Sequence, residues 1–380
     1  MIKKEKYGNI IDYLKSNQKS FIEQSFNDVD GLVFSYLAYY NFESININSK
    51  RVKISSIENE LLLNENNYHL SNYDEKKEFL IALKSSNRYN DIEVSNFVRL
   101  YNLEKEEQFC GVLFHYKDLF SFVSFRGTDT TIYGWKEDLN LSYSYPLISQ
   151  CDALSYLNNS YKYLNKIIYV GGHSKGGNLA VYSAINSYKY IYKHIIHIYS
   201  YDGPGFKEAF FKSKKYKERK YKIIKYVPEF SIFGMIMEES EDFKVINAKG
   251  FTIMEHIVFN WIIKDNNFDI LTSITSGAYI FDKAINKWLL SYDDETKKRL
   301  VSLLYSIIIN NNILRVEDIR NNLLNLVKTY NALDKESKIF IKKVTKKFIS
   351  LTLNYAKDNL INETSKTKVI IKNKINFKNK

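Results

Sequence analysis

Residues 169–184, YVGGHSKGGNLAVYSA, constrain this chain more than any other stretch. A β-branched and aromatic run stops at two glycines, and Ser174 follows between His173 and Lys175. Two more glycines come next, and the chain then reads as helix. The 380 residues hold only 14 glycines, yet four of them crowd around this one serine. Gly172-His173-Ser174-Lys175-Gly176 fits G-x-S-x-G, in which the serine sits on a sharp turn from a strand into a helix. The turning residue is held in a strained backbone conformation, and its neighbours must lack side chains to avoid clashes. Gly172 and Gly176 meet that need, while Gly171 and Gly177 ease strand–helix packing together with Ala180 and Ala184. The helix N-terminus then directs amide groups and a partial positive charge at the serine oxygen. A Walker-type phosphate loop needs the Lys-Ser order after a longer glycine spacing, which is missing here. A Ser-Lys pair needs S-x-x-K spacing, also missing, so the Lys175 side chain is expected to be exposed.

The flanking pattern supports a strand–turn–helix. KIIYV precedes the turn and NLAVYSAINSY follows it, while FCGVLFHYK and LFSFVSFRG read as a hairpin turning at Lys117-Asp118. HIIHIYS, YKIIKYV and FKVINAK read as further strands, with helical stretches such as CDALSYLNNSYKYLN between strands. Strands alternating with helices imply crossover connections, hence an α/β class with a mostly parallel sheet flanked by helices. Residues 1 to about 105 read as mainly helical. The expected division is one domain over residues 1–283 and a helical C-terminal region over 284–380 that takes no part in the chemistry. Beyond Glu363 the tail has six lysines and no acid, and is expected to be poorly ordered. Cys110 and Cys151 are too few for a disulfide framework and read as buried small hydrophobes. The basic N-terminus is followed by no apolar signal-like segment, and no run reaches about 18 apolar residues, so the expected location is cytoplasmic. The net charge of +12 fits anionic membranes, nucleic acid or anionic substrates without choosing among them.

A serine nucleophile needs an oxyanion donor. In this type of elbow one backbone N–H comes from the residue after the nucleophile, here Lys175. The other comes from a loop after an earlier strand, and SFVSFRGT ends in such a loop at Thr128, whose hydroxyl offers a further donor.

The order FRGT, then W-x-x-D-L over residues 135–139, then G-H-S-x-G-G-x-L-A is similar to that of the fungal-type, or class 3, triacylglycerol lipases. GHSKGGNLAVYSA, YDGPGF, VPEFSIFGM and FNDVDGLVFSYLAYYNF together resemble a bacterial lipase-like α/β-hydrolase family catalogued as a domain of unknown function. The resemblance spans roughly residues 7–265 and implies an α/β-hydrolase fold with lipase-like ester chemistry. The helical C-terminal hundred residues lie outside it.

Chain order in these hydrolases is serine, then acid, then histidine. Of six histidines only His194, His197 and His256 follow Ser174. His194 and His197 begin an apolar strand, whereas His256 follows the last strand-like run, where a loop can deliver it to the serine. The resemblance also implies a histidine shortly before an aromatic residue in this region. For the acid, Asp202 closes the strand after the elbow helix and is favoured; Glu229 ends the next strand, and Asp242 is a further alternative. Fungal-type lipases carry an aspartate two positions before a V-P pair, where this chain has Lys225. The expectation is a serine ester hydrolase with Ser174, His256 and Asp202, and with Thr128 and Lys175 as oxyanion donors. No metal or cofactor is called for. The expected partners are an ester or lipid small molecule and, peripherally, an anionic membrane, with no specific nucleic acid and an open oligomeric state. The alternative is a degenerate hydrolase-fold binding or scaffold module at anionic membranes.

Overall fold

The computed structural model describes residues 7–45, 47, 50–63, 73–102, 104–238 and 242–378, with side chains described to residue 360. In chain order the strands are β1 (Tyr7–Gly8), β2 (Val52–Lys53), β3 (Ile92–Asn102), β4 (Glu107–Tyr116), β5 (Phe120–Phe125) and β6 (Ile168–His173). They continue with β7 (Ile195–Tyr201), β8 (Ile223–Pro228), β9 (Lys244–Ile246), β10 (Ile263–Lys264), β11 (Asn267–Phe268) and β12 (Ile270–Leu271). One sheet has the order β12-β9-β8-β7-β6-β5-β4-β3-β2, and β1, β10 and β11 form a second, small one. β5 to β9 pair in parallel, whereas β2, β3 and β4 extend one edge antiparallel and β12 the other.

This strand order dictates the layers. Parallel strands added one after another in a single direction, each by a right-handed crossover, place their connecting helices on one face. That face carries α6 (Ile148–Ser160) and α7 (Lys175–Asn186), where Ala153, Leu157, Leu179 and Ala180 pack on Val123, Phe125, Val170 and Ile198. The other face would be left bare, and the N-terminal segment covers it. α1 (Ile10–Ser16), α2 (Asp28–Leu37) and α4 (Tyr73–Ser85) bury Leu14, Leu32, Phe34 and Phe79 in one cluster with Phe114, Phe122 and Tyr199. The period of two is plain in β5, where Phe120 and Phe122 face the N-terminal helices and Val123 and Phe125 face the crossover helices. The resulting α/β sandwich is the architecture expected from the alternating pattern.

Several sequence readings change. The first 105 residues hold the 11-residue strand β3 as well as helices. Its alternation was hidden because the register shifts between Ser95 and Val98, around Asn96 in a left-handed conformation. His194 ends the helix Lys189–His194 rather than starting a strand. Cys151 is exposed on α6, and only Cys110 is buried. After β12 come α11 (Ser276–Leu290), α12 (Asp294–Ile309), α13 (Leu323–Ala332) and α14 (Lys335–Lys378). Residue 283 therefore lies inside α11, and the backbone of the basic tail continues as helix. Residues 1–6 of the basic N-terminus lie outside the described residues.

Candidate active site

The elbow forms because β6 runs straight into α7 with a single residue between them. Ser174 takes that place at φ 57°, ψ −135°, a region that costs a non-glycine residue about 1–3 kcal/mol. A Cβ on Gly172 would stand 2.3 Å from the Gly176 carbonyl carbon, and one on Gly176 would stand 2.1 Å from Phe125 O. Backbone meets backbone at both points, so no side chain can be accommodated. The turn is closed by Ser174 N–H donating to Tyr201 O at 2.9 Å and Gly177 N–H donating to Ser174 O at 2.9 Å. The Ser174 Oγ has no hydrogen-bond partner among the described residues, and the side chain is only partly covered.

Asp202 sits one residue beyond β7, fully buried and at φ 51°, with its N–H donating to Tyr226 O at 2.7 Å. Its Oδ2 accepts from His256 Nδ1 at 2.5 Å. Its Oδ1 accepts from the Ser231 hydroxyl at 2.5 Å and from Gly234 N–H at 3.1 Å. Burial alone raises a carboxyl pKa, but the His256 hydrogen bond and charge, with Ser231, outweigh it and hold Asp202 below its ordinary value. His256 ends a short 3-10 turn, Thr252–His256, and stays partly open to solvent. Its Nε2 has no hydrogen-bond partner among the described residues.

The structure thus brings Asp202, and neither alternative, to His256. Glu229 offers its backbone carbonyl to Thr275 N–H at 2.9 Å. Asp242 is 84% exposed and pairs loosely with Lys220 at 3.8 Å. Lys225, which stands where the lipases carry aspartate, is buried and holds the loop above Asp202. Its ammonium donates to Gly234 O at 2.7 Å and to the Glu238 carboxylate. Ser231, Gly234 and Lys225 lie in or beside VPEFSIFGM, a stretch whose apolar look gave no sign of this polar lining.

The sequence motif presents His173 only as a flank of the serine, yet it links two parts of the site. Tyr39 donates its hydroxyl proton to His173 Nδ1 at 2.9 Å, and His173 Nε2–H donates to the backbone carbonyl of His256 at 2.9 Å. The two imidazole rings lie 4.5 Å apart, and Phe233 covers His256 on another side at 4.4 Å. Burial, and then the nearby His256, push the His173 pKa down to about 3, so the ring is neutral and both of its nitrogens are spoken for.

Lys175 overturns the expectation of an exposed side chain. It is 1% exposed, and its ammonium donates to Glu137 Oε2 at 2.6 Å and to Gln108 O at 2.9 Å. The signal lay in W-x-x-D-L, which contains Glu137, but only the packing of α5 (Ile132–Asn140) beside the elbow shows it. Thr128 is also revised as to its hydroxyl. Its single proton is directed at Asp138, at 2.8 and 2.6 Å from the two oxygens, so only its backbone N–H remains for an oxyanion. The Asp138 carboxyl is raised to about 6 by burial, against the pull of Lys175 and Thr128. Among the described residues no hydrogen bond engages the backbone N–H of Thr128 or of Lys175.

Ser174 opens into an apolar cavity of about 200 Å³. Trp135, Leu141 and Phe233 line one part of it; Trp288, Leu289 and Leu300, from α11 and α12, line the rest. The helices expected to stand apart from the site therefore form one wall of it. Among the described residues no three His, Cys, Asp or Glu side chains are grouped to hold a metal ion. Nor does any described helix have the length and apolarity to cross a membrane.

A family model described as Mbeg1-like matches residues 83–306, more than half of the chain. The chain belongs to this Mbeg1-like, lipase-like family. Among solved structures, one described as the crystal structure of M37 lipase is similar at 16% identity and a TM-score of 0.34, covering 55% of this chain and 69% of that one. No curated protein matches.

Proposed function

We propose that this protein hydrolyses carboxylic esters by a serine mechanism of the lipase or esterase type. Ser174 Oγ attacks the ester carbonyl carbon. His256 Nε2 takes the hydroxyl proton and returns it to the leaving alkoxide, which departs as the alcohol. Water then attacks the acyl-serine with the same imidazole as base, the bond from the acyl carbon to Oγ breaks to release the carboxylic acid, and Ser174 regains its proton from His256. Asp202 keeps the proton on Nδ1 and stabilises the imidazolium while it exists. The backbone N–H groups of Thr128 and Lys175 receive the oxyanion. The apolar cavity beside Ser174 takes the acyl chain.

One observation carries this reading. A serine held at positive φ between a strand and a helix stands next to a residue that grips His256, whose Nδ1 is bound to a buried carboxylate. The lack of a Ser174 hydrogen bond does not weigh against it, because such bonds are often long before substrate binds. A fluorophosphonate probe tests the proposal. Wild type should label and hydrolyse a short p-nitrophenyl ester. Ser174→Ala should do neither while melting at the same temperature, with turnover down on the order of 10⁶-fold. A folded wild type that never labels would mean a binding module on a hydrolase fold, and equal labelling of Ser174→Ala would place the nucleophile elsewhere.

A further inference from the structure

The final helix presents two unlike faces, and its outer one has no counterpart in the proposed chemistry. α14 is fixed on α11 by an inner row. Trp288 Nε1–H donates to Val344 O at 2.9 Å, and Phe348 packs on Trp288 at 5.8 Å and on Phe281 at 6.3 Å. Val344 and Ser337 are buried, and Arg299 lies over the Phe340 ring at 4.7 Å. These residues recur at spacings of three and four, as a single helical face must.

The opposite direction is fixed by the same helical period of about 100° per residue. Ile339, Ile349, Leu353 and Leu360 point that way, and each is more than half exposed. Lys335, Lys342, Lys346 and Lys357 share the stripe and are exposed as well. No Asp or Glu falls on it: Glu336 and Asp358 lie off to the side. The stripe runs 22 residues from Ile339 to Leu360, about 30 Å of straight helix.

We propose that this stripe is a docking surface for an anionic lipid bilayer. The chemistry selects that occupant. A row of separate aliphatic tips gains by entering the headgroup boundary, and lysines beside them snorkel to anionic phosphates. A second copy of the helix would set lysines against lysines. Nucleic acid would satisfy the lysines and leave four large apolar side chains in water. A line some 30 Å long is also wide for a protein groove and suits a flat surface. The position fits as well, because Trp288, which anchors α14, lines the cavity at Ser174. Docking would hold that wall next to the membrane. The surface is independent of whether Ser174 is catalytic.

The full chain is tested by flotation with vesicles of phosphatidylcholine alone or with a third phosphatidylglycerol. Binding is expected only to the anionic vesicles and should weaken as salt shortens the Debye length. Lys342→Gln/Lys346→Gln should lower the partition coefficient about 30-fold, at roughly fivefold per lysine. Ile349→Asn/Leu353→Asn should lower it at least tenfold. Every protein keeps the basic tail after Glu363, so only the stripe can cause a difference between variants. All four side chains are exposed, and unchanged melting shows that the fold is retained; if a pair melts early, the single changes Lys342→Gln and Leu353→Asn are read instead. Undiminished binding by the variants, equal binding to both vesicle types, or a dimer by light scattering that Leu353→Asn dissociates would each overturn the proposal.

Discussion

Removing the ammonium under the elbow gives the sharpest test of how the site is held. Lys175 and Glu137 are 1% and 2% exposed and 2.6 Å apart. Lys175→Met keeps the length of the side chain and deletes its charge. Glu137 would keep one bond, from Gln108 N–H at 3.0 Å, while its Oε1 has no partner even in the intact protein. Breaking a buried pair in this way costs about 3–5 kcal/mol. For a chain of 380 residues, an unfolding entropy of about 2.1 cal/mol/K per residue turns that into a Tm lowered by roughly 4–6 °C. Lys175→Met/Glu137→Met should recover most of the loss, because an apolar pair of similar volume leaves no orphan charge. The pH dependence has a definite sign. Burial pushes the Lys175 ammonium down, but the carboxylates of Glu137 and Asp138 more than offset it, so its folded pKa lies above the ordinary value. The contribution of a raised base is complete below its unfolded pKa and is lost only as pH rises through the folded one. Wild type should therefore lose nothing from this group between about pH 6 and 9. In Lys175→Met a buried carboxylate is left without its cation, which is costly only while it is charged. The penalty should vanish below the ordinary carboxylate range and grow as pH rises through it. Urea midpoints of wild type and variant, measured from pH 4 to 8, give that difference directly. A Tm change under about 1 °C at pH 8, or no recovery in the double variant, would refute the argument.

Asp202→Asn should lower turnover about 10⁴-fold with the nucleophile still able to label slowly, whereas Glu229→Gln should stay within about threefold of wild type; the reverse ranking in ester kinetics would move the acid. His173→Leu removes the ring that joins the Tyr39 hydroxyl to the His256 carbonyl and leaves that carbonyl unpaired, so kcat should fall about 10- to 100-fold with KM little changed, and a KM effect alone would deny His173 its positioning part. His173, and likewise the buried His115, carry pKa values pushed down to about 3, so the unfolded chain binds more protons between about pH 3 and 6.5. Wild-type stability should fall as pH drops through that window, by up to about 1.4 kcal/mol per pH unit for each ring, and His173→Gln should flatten the slope measured in urea titrations. The cavity lining is apolar, so kcat/KM on an ester series should climb up to about fourfold per methylene and level off once the chain has filled the cavity. A chain ending at residue 283 loses the wall from α11 and α12 and should lose this selectivity; retained selectivity would show that the helices are passive.

The sequence by itself determined the elbow and the class of fold. Four glycines around Ser174 admit few other backbones, since Gly172 and Gly176 each face main-chain atoms where a Cβ would collide. Alternating strand and helix patterns likewise require a parallel sheet, because local periodicity states which faces are apolar. Asp202 and His256 were legible as candidates from chain order, though order alone left Glu229 open. What the sequence hid was every contact made across elements. Lys175 looks like a solvated charge until α5 brings Glu137 beneath it. Lys225 looks like a missing acid until the loop at residues 231–238 folds back onto it and onto Asp202. His173 reads as spacing until the turn ending at His256 lands on its Nε2. The C-terminal helices look like an appendage until Trp288, Leu289 and Leu300 close the cavity. The partner lies 9 and 13 residues from Lys225, 38 from Lys175 and 83 from His173, always beyond a helical turn or a strand pair. Side-chain pairing over such distances is set by how the layers pack, and no local period records it.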